Sequence, residues 1–244
     1  MQALFFLLIA LIIGAGFYVG WHLKQKRRDE LAALASRLGM TFAASDPFGI
    51  DDQMPHQLFS IGDGRGCENV MWGVWNGMPA TAFDYWYYTE STDSEGHTSR
   101  TYHRFSCAMT YVPADCHHLV ITKENLLTRM ADGLGFRDIQ FETGEFNKAW
   151  QIKCPDRKFA TDFIDQRMMQ WLMYAGTQWS FEVVGQIGLV YCRKLGTGEI
   201  PALLGCLKAF RDKIPRVVSD LYPLPPDAPQ MPGVRPVGDT AAQG

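Results

Sequence analysis

The chain has 244 residues, of which 47% are apolar and 20% charged, and it carries a formal net charge of −3 at pH 7. That composition argues against a wholly disordered chain or a fibrous repeat. The slight acidity argues against nucleic acid, whose phosphates call for a basic excess. Only one stretch is long and apolar enough to cross a bilayer, which argues against a multi-span transporter.

That stretch comes first. Residues 1–22 hold no charged side chain, and 19 residues from Ala3 to Trp21 are mostly Leu, Ile, Phe, Ala and Gly. A helix of that length covers roughly 28 Å, close to the hydrocarbon thickness of a bilayer. Tyr18 and Trp21 stand near its far end, where aromatic rings favour the interface, and Lys24, Lys26, Arg27 and Arg28 follow directly. A cleavable signal would place its basic cluster before the apolar run, so the segment reads as a retained single-pass anchor over residues 1–23. Basic residues stay on the cytoplasmic side, which puts the N-terminus outside and the rest of the chain in the cytoplasm of a bacterial cell. Taking the four collar charges from 23 basic side chains leaves 19 against 26 acidic ones, a net of −7. Such a body should be held off an anionic bilayer.

Residues 24–44 read as the basic collar and an amphipathic stalk. Leu31, Leu34, Ala35 and Leu38 follow helical spacing, and Gly39 can end the helix. A globular domain is expected over residues 45–216. It starts with a turn-rich stretch over 45–66 and continues into strands over 70–75 and 78–89, joined at Asn76-Gly77, a dipeptide suited to a type I′ turn. A third strand is expected over 101–112. A loop centred near Glu95 sets Phe105 opposite Tyr85 and Arg104 opposite Trp86, with a cation–π contact between the latter two.

A short strand over 117–122 and a helix over 123–134 follow. Two strands over 138–142 and 149–153 come next, then a helical stretch from Pro155 to Gly176 with a break near Asp165. Trp179, Phe181 and Val183 alternate as a strand, and Gly185-Gln186 reads as a turn into a partner strand over 187–193. A last helix runs over 199–214, with Pro201 in its first turn and Pro215 as its stop. Residues 217–244 form a proline-rich tail expected to be disordered. The order describes an α+β fold with a mainly antiparallel sheet, a meander that could close into a small barrel like a pleckstrin-homology domain.

The search for chemistry finds little. Gly62, Gly64 and Gly66 lack the following helix that a phosphate cradle needs. Cys116 and His118 share a strand face but lack two further zinc ligands. No nucleophile elbow or zinc-protease signature occurs, and Cys107 and His103, four residues apart on one strand, are roughly 13 Å apart, too far to pair. The six cysteines form no short, regular framework and read as free thiols. No cofactor, metal or catalytic residue is expected. The aromatic and methionine content, including Trp72, Trp75, Trp171, Trp179, Met168, Met169 and Met173, is read as core. Trp86, Tyr88 and Arg104 are the candidates for a ligand or partner surface.

Three stretches together are distinctive: Asp46-Pro47-Phe48-Gly49; Phe83-Asp84-Tyr85 with His103-Arg104-Phe105; and Glu145-Phe146-Asn147 leading to Asp156 and Met168-Met169-Gln170-Trp171-Leu172. The pattern resembles a group of uncharacterised, single-pass, membrane-anchored proteins of actinobacteria. The resemblance implies a bacterial inner-membrane protein and no activity. The expected function is a non-enzymatic, membrane-tethered interaction module, a scaffold or adaptor for a protein partner at the lipid bilayer. A small-molecule or lipid-binding domain is the alternative, and a hydrolase with an unrecognised site the third.

Overall fold

The computed structural model describes residues 2–123 and 138–225. The helix expected over 123–134, apart from Lys123, and residues 226–244 of the tail lie outside the described residues, whereas residues 217–221, expected to be disordered, belong to a helix over Arg216–Leu221 that buries Val218.

The first element is a single unbroken helix, α1 (Gln2–Arg37). It ends where Gly39 takes a left-handed φ of 68°. The amide of Gly39 donates to the Ser36 carbonyl and that of Met40 to the Ala35 carbonyl, closing the helix with the paired bonds of a Schellman motif. Its first part presents Phe6, Leu7, Leu11, Ile12 and Phe17 to the outside. This segment is long and apolar enough to cross a membrane. Its last part buries Leu31, Leu34 and Ala35 in the core. The helix is therefore no free stalk, and the globular body begins inside residues 24–44. There β1 (Thr41–Ser45) forms the edge of the sheet, with Thr41 opposite Trp72.

Among the described residues the sheet has six antiparallel strands. Its path runs β1, β2 (Gly64–Trp75), β3 (Met78–Thr92), β4 (Thr98–Lys123) and β5 (Trp150–Lys153), and β6 (Ser180–Arg193) pairs with β4. The α+β antiparallel architecture is thus the one expected. β2 and β3 meet at Asn76-Gly77, whose φ values of 47° and 76° are those a type I′ turn requires. β3 and β4 meet in the register set by symmetry about Glu95, with Tyr85 opposite Phe105 and Trp86 opposite Arg104.

Three elements differ from expectation. The strands expected over 101–112 and 117–122 are one 26-residue strand, because register shifts around Cys116 absorb the irregular stretch without breaking the pairing. The turn expected at Gly185 is a bulge inside β6. Gly185 has a φ of 56° and faces Cys116, so the two strands bend together. The strand expected over 138–142 reduces to a single bridge, Asp138 to Lys153. The chain at 141 is instead held by Asn147, whose side-chain amide bonds both the amide and the carbonyl of Phe141.

The β4–β6 ribbon curls. Although 14 extended residues span roughly 46 Å, residues from both ends of β6, Ser180 and Tyr191, line one cavity. Among the described strands no pairing closes this curl into a barrel, and β1 ends the sheet on one side.

Two cores lie on opposite faces. One packs Ala80, Ala82, Ala108 and Leu119 against the end of α1 and against α3 (Gly144–Ala149), α4 (Arg157–Phe163), α5 (Gln166–Ala175), α6 (Ile200–Lys213) and α7 (Arg216–Leu221). The break near Asp165 is real: Asp156 caps α4 and Asp165 caps α5 through their carboxylates. The other face, with Phe83, Tyr85, Phe105, Cys107 and Tyr191, is covered by the turn-rich stretch, which carries the short helix α2 (Ile50–Gln53). There Asp46 accepts from the amides of Phe48 and Ile50, at 2.8 and 2.5 Å, and Ile50, Leu58 and Phe59 are buried.

Candidate functional site

A cleft of about 540 Å³ lies where α1 meets the sheet. Gly20, Leu23, Lys24 and Arg27 line it from the helix; Glu68, Asn69, Trp86, Tyr102, Arg104 and Lys194 line it from the strands and the residue after β6. Behind three of these residues, Arg27, Asn69 and Lys194, lies Asp84, a buried carboxylate on β3. Arg27 grips Asp84 with two bonds of 2.7 Å, from Nε and Nη2, and its Nη1 donates to the Leu195 carbonyl at 2.8 Å. The side chains are 15% and 4% exposed, so the pair is largely desolvated. Asn69 donates to the same carboxylate at 3.0 Å from a left-handed backbone at a bulge in β2. The Leu195 amide in turn donates to Ser106 Oγ, which fixes the carbonyl that Arg27 needs.

The collar is thus divided between two roles. Lys24 pairs with Glu68 at 2.6 Å, so Lys24 and Arg27 hold the helix to the domain instead of projecting as a free band. Lys26 stays outside with Glu30 at 3.9 Å. Arg28 is half-buried, with its Nε unpartnered. Tyr18 and Trp21 stand exposed on α1 with ring centres 6.4 Å apart. A body held off on a stalk does not describe this geometry.

Trp86, Tyr88 and Tyr102 form the aromatic rim. Trp86 and Tyr88 lie nearly parallel at 6.3 Å, and Tyr102 sits 5.9 and 5.4 Å from them. Glycine makes this arrangement possible. Gly66 pairs with Trp86 and Gly64 with Tyr88, and a Cβ at those positions would lie 3.0 and 2.4 Å from the rings. The glycine run therefore lets large rings lie flat across β2. Arg104 is opposite Trp86 as expected, but its guanidinium lies over Tyr102, 5.2 Å from the centroid, while Arg100 covers Tyr88 at 4.6 Å. A cation–π contact with Trp86 is replaced because Tyr102, two residues away on the same strand face, is nearer to hand. Among the described residues Arg104 has no carboxylate partner.

Lys194 sits 3.6 Å from Asp84. Burial pushes its ammonium below the usual lysine range, Arg27 and Arg104 push the same way, and Asp84 and Glu68 oppose them. The cleft therefore holds four cations over two carboxylates, one of them already bound on two sides by Arg27.

Other candidates resolve into structural parts. His117 and His118 face opposite ways, to Asp156 at 3.1 Å and Glu182 at 2.7 Å. Cys116 hydrogen-bonds the Ala114 carbonyl. Burial raises all six thiols, Cys116, Cys192 and Cys206 to about 12 and Cys154 to about 11, which disfavours the thiolate a nucleophile requires. Met168 is core, Trp171 and Trp179 pack on it, and Met173 is exposed. One buried acid was not anticipated. Glu182 of β6 accepts from the amides of Gln57 and Leu58 and so pins the covering loop. Its signal in the sequence, a lone acid between Phe181 and Val183, reads as an outward-facing strand position. A second cavity of about 730 Å³ lies inside the curl, lined by Phe105, Trp179 and Tyr191 among others. It is mostly apolar, and the converging charges are in the cleft beside α1.

The fold and cleft define an α+β domain on an antiparallel sheet, seated on an N-terminal apolar helix. No protein family and no curated protein matches the chain. Among solved structures it is similar to the mycobacterial trehalose monomycolate transport factor A, TtfA, with a TM-score of 0.52. The match covers 85% of this chain and 98% of that one at 14% identity, a likeness of fold.

Proposed function

We propose that this chain is a single-pass, membrane-anchored docking module of an actinobacterium, without chemistry of its own, that holds a protein partner at the inner face of the cell membrane. The observation that carries the reading is the continuity of α1. The same helix that exposes its apolar first half is locked by Arg27 to buried Asp84, so an inserted anchor would orient the whole domain. A flexible tether would leave orientation free, whereas a rigid one presents the same surface to a membrane neighbour each time. The name of the structural neighbour, a transport factor, agrees with an accessory role beside a lipid-transport step.

Two experiments test this reading. Ser94, exposed on the β3–β4 turn, is replaced by cysteine in the full chain. An impermeant maleimide should leave it unlabelled in intact cells and label it after permeabilisation; labelling in intact cells overturns the orientation. Proximity labelling from the C-terminus should then enrich membrane proteins with the full chain and lose them when residues 1–23 are removed. Equal profiles for the two overturn the docking role.

A further inference from the structure

We propose that the cleft beside α1 binds the phosphate of an anionic phospholipid headgroup, with Arg104 as its main ligand and Trp86 and Tyr102 on its rim. The inference rests on the anchor reading above and deepens it by naming the lipid chemistry at the module's surface.

Charge is the first argument. Lys24, Arg27, Arg104 and Lys194 face Glu68 and Asp84, a surplus of two positive charges in one concavity. Internal pairing consumes the carboxylates: Asp84 is held by Arg27 and Asn69, and Glu68 by Lys24. Among the described residues Arg104 is left without a carboxylate partner, its guanidinium resting over Tyr102. A guanidinium fork matches two phosphate oxygens, and Lys194, whose amide donates to the Arg104 carbonyl from the neighbouring strand, supplies a second, more compact charge beside it. An anion between them would also relieve the repulsion that Arg27 and Arg104 exert on Lys194.

Position is the second argument. Gly20 and Leu23, at the end of the apolar run, form part of the cleft wall. If residues 3–21 cross the bilayer, the cleft opens at headgroup depth, where phosphates are concentrated and a lipid already has its tails accommodated. An acidic peptide carries comparable charge but has no reason to prefer a site walled by the anchor.

Shape is the third. A space of about 540 Å³ falls in the range of small-ligand sites, ample for one headgroup. Tyr102 is 45% exposed and Trp86 half-buried, amphipathic rings of the kind that rest at a membrane surface.

The test uses the full chain in neutral detergent and three probes: dihexanoyl phosphatidylglycerol, dihexanoyl phosphatidylcholine and inorganic phosphate. Native mass spectrometry should show one phosphatidylglycerol retained, in preference to phosphatidylcholine. R104Q should weaken that retention about tenfold, the loss expected of a charge-assisted contact, with an unchanged melting temperature. K194Q should act in the same direction, and it decides the matter if R104Q melts early. Equal retention by wild type and both variants overturns the proposal, as does equal retention of the two lipids. Inorganic phosphate competing at the same concentration as the lipid would make this a soluble-anion site and overturn the headgroup assignment. Because a short-chain lipid needs no protein partner, failure here leaves the docking module standing, and failed partner enrichment leaves lipid binding intact.

Discussion

The two halves of α1 are one helix by backbone and two different objects by surroundings. Over the first half, the described leucines and phenylalanines are exposed, Leu11 to 64%. Over the second half, Leu34 is 5% exposed and Arg27, half-buried, pairs with a buried carboxylate. Nothing in the hydrogen-bond ladder marks the change. The contrast teaches that an apolar helix can run into a domain without a linker where charge pairs, Arg27 with Asp84 and Lys24 with Glu68, and the packing of Leu31 and Leu34 secure its second half to the sheet.

The largest test of that contrast is Asp84→Ala. It strands Arg27 in a largely desolvated pocket and should cost about 3–5 kcal/mol in denaturant unfolding of the full chain. The double variant Arg27→Met with Asp84→Leu should recover most of the loss, since the charges then leave together. Next comes a matched pair on the helix itself. Leu34→Ala should cost about 3 kcal/mol, and Leu11→Ala should leave domain unfolding unchanged, because only the former opens a cavity. Equal costs would mean the two halves share one environment.

The far face of the sheet offers a third, pH-dependent contrast. His56 is fully buried under the covering loop, and that burial pushes its imidazole below the ordinary value of 6.5. The unfolded chain therefore takes up the proton first as pH falls. Stability should be complete above pH 6.5 and decline below it, and H56Q should flatten that slope in urea titrations across pH. The smallest effect belongs to Lys24→Ala. Its side chain is 57% exposed, so losing the pair with Glu68 should change stability by about 0.5 kcal/mol, less at high salt.

Much of the meander was legible because its cues are local. Asn76-Gly77 specifies its own turn, and strand alternation with symmetry about Glu95 placed Tyr85 on Phe105 and Trp86 on Arg104. The break near Asp165 was legible for the same reason, whereas the caps that Asp156 and Asp165 form emerge only in the structure. Gly185 misled, because a glycine at a bulge and a glycine at a turn share the same left-handed φ, and only the unbroken pairing of β6 with β4 separates them. The candidate surface was half legible. Trp86, Tyr88 and Arg104 stood out as large or charged groups on one strand face. Lys194, distant in sequence, and Asp84, one polar residue in an alternating strand, gave no sign that they belonged with Arg27.

By itself the sequence determined the apolar N-terminal segment, long enough to cross a membrane, the basic collar after it, the antiparallel α+β class and the register of its central hairpin. Each of these depends on neighbours within about twenty residues, where periodicity and turn chemistry act. The tertiary structure decided that the collar is a clamp and not a band. Arg27, Asp84 and Leu195 are brought together from separations of 57 and 168 residues. Burial turns an ordinary aspartate into the partner an arginine cannot lose, and burial is a property of the folded surroundings.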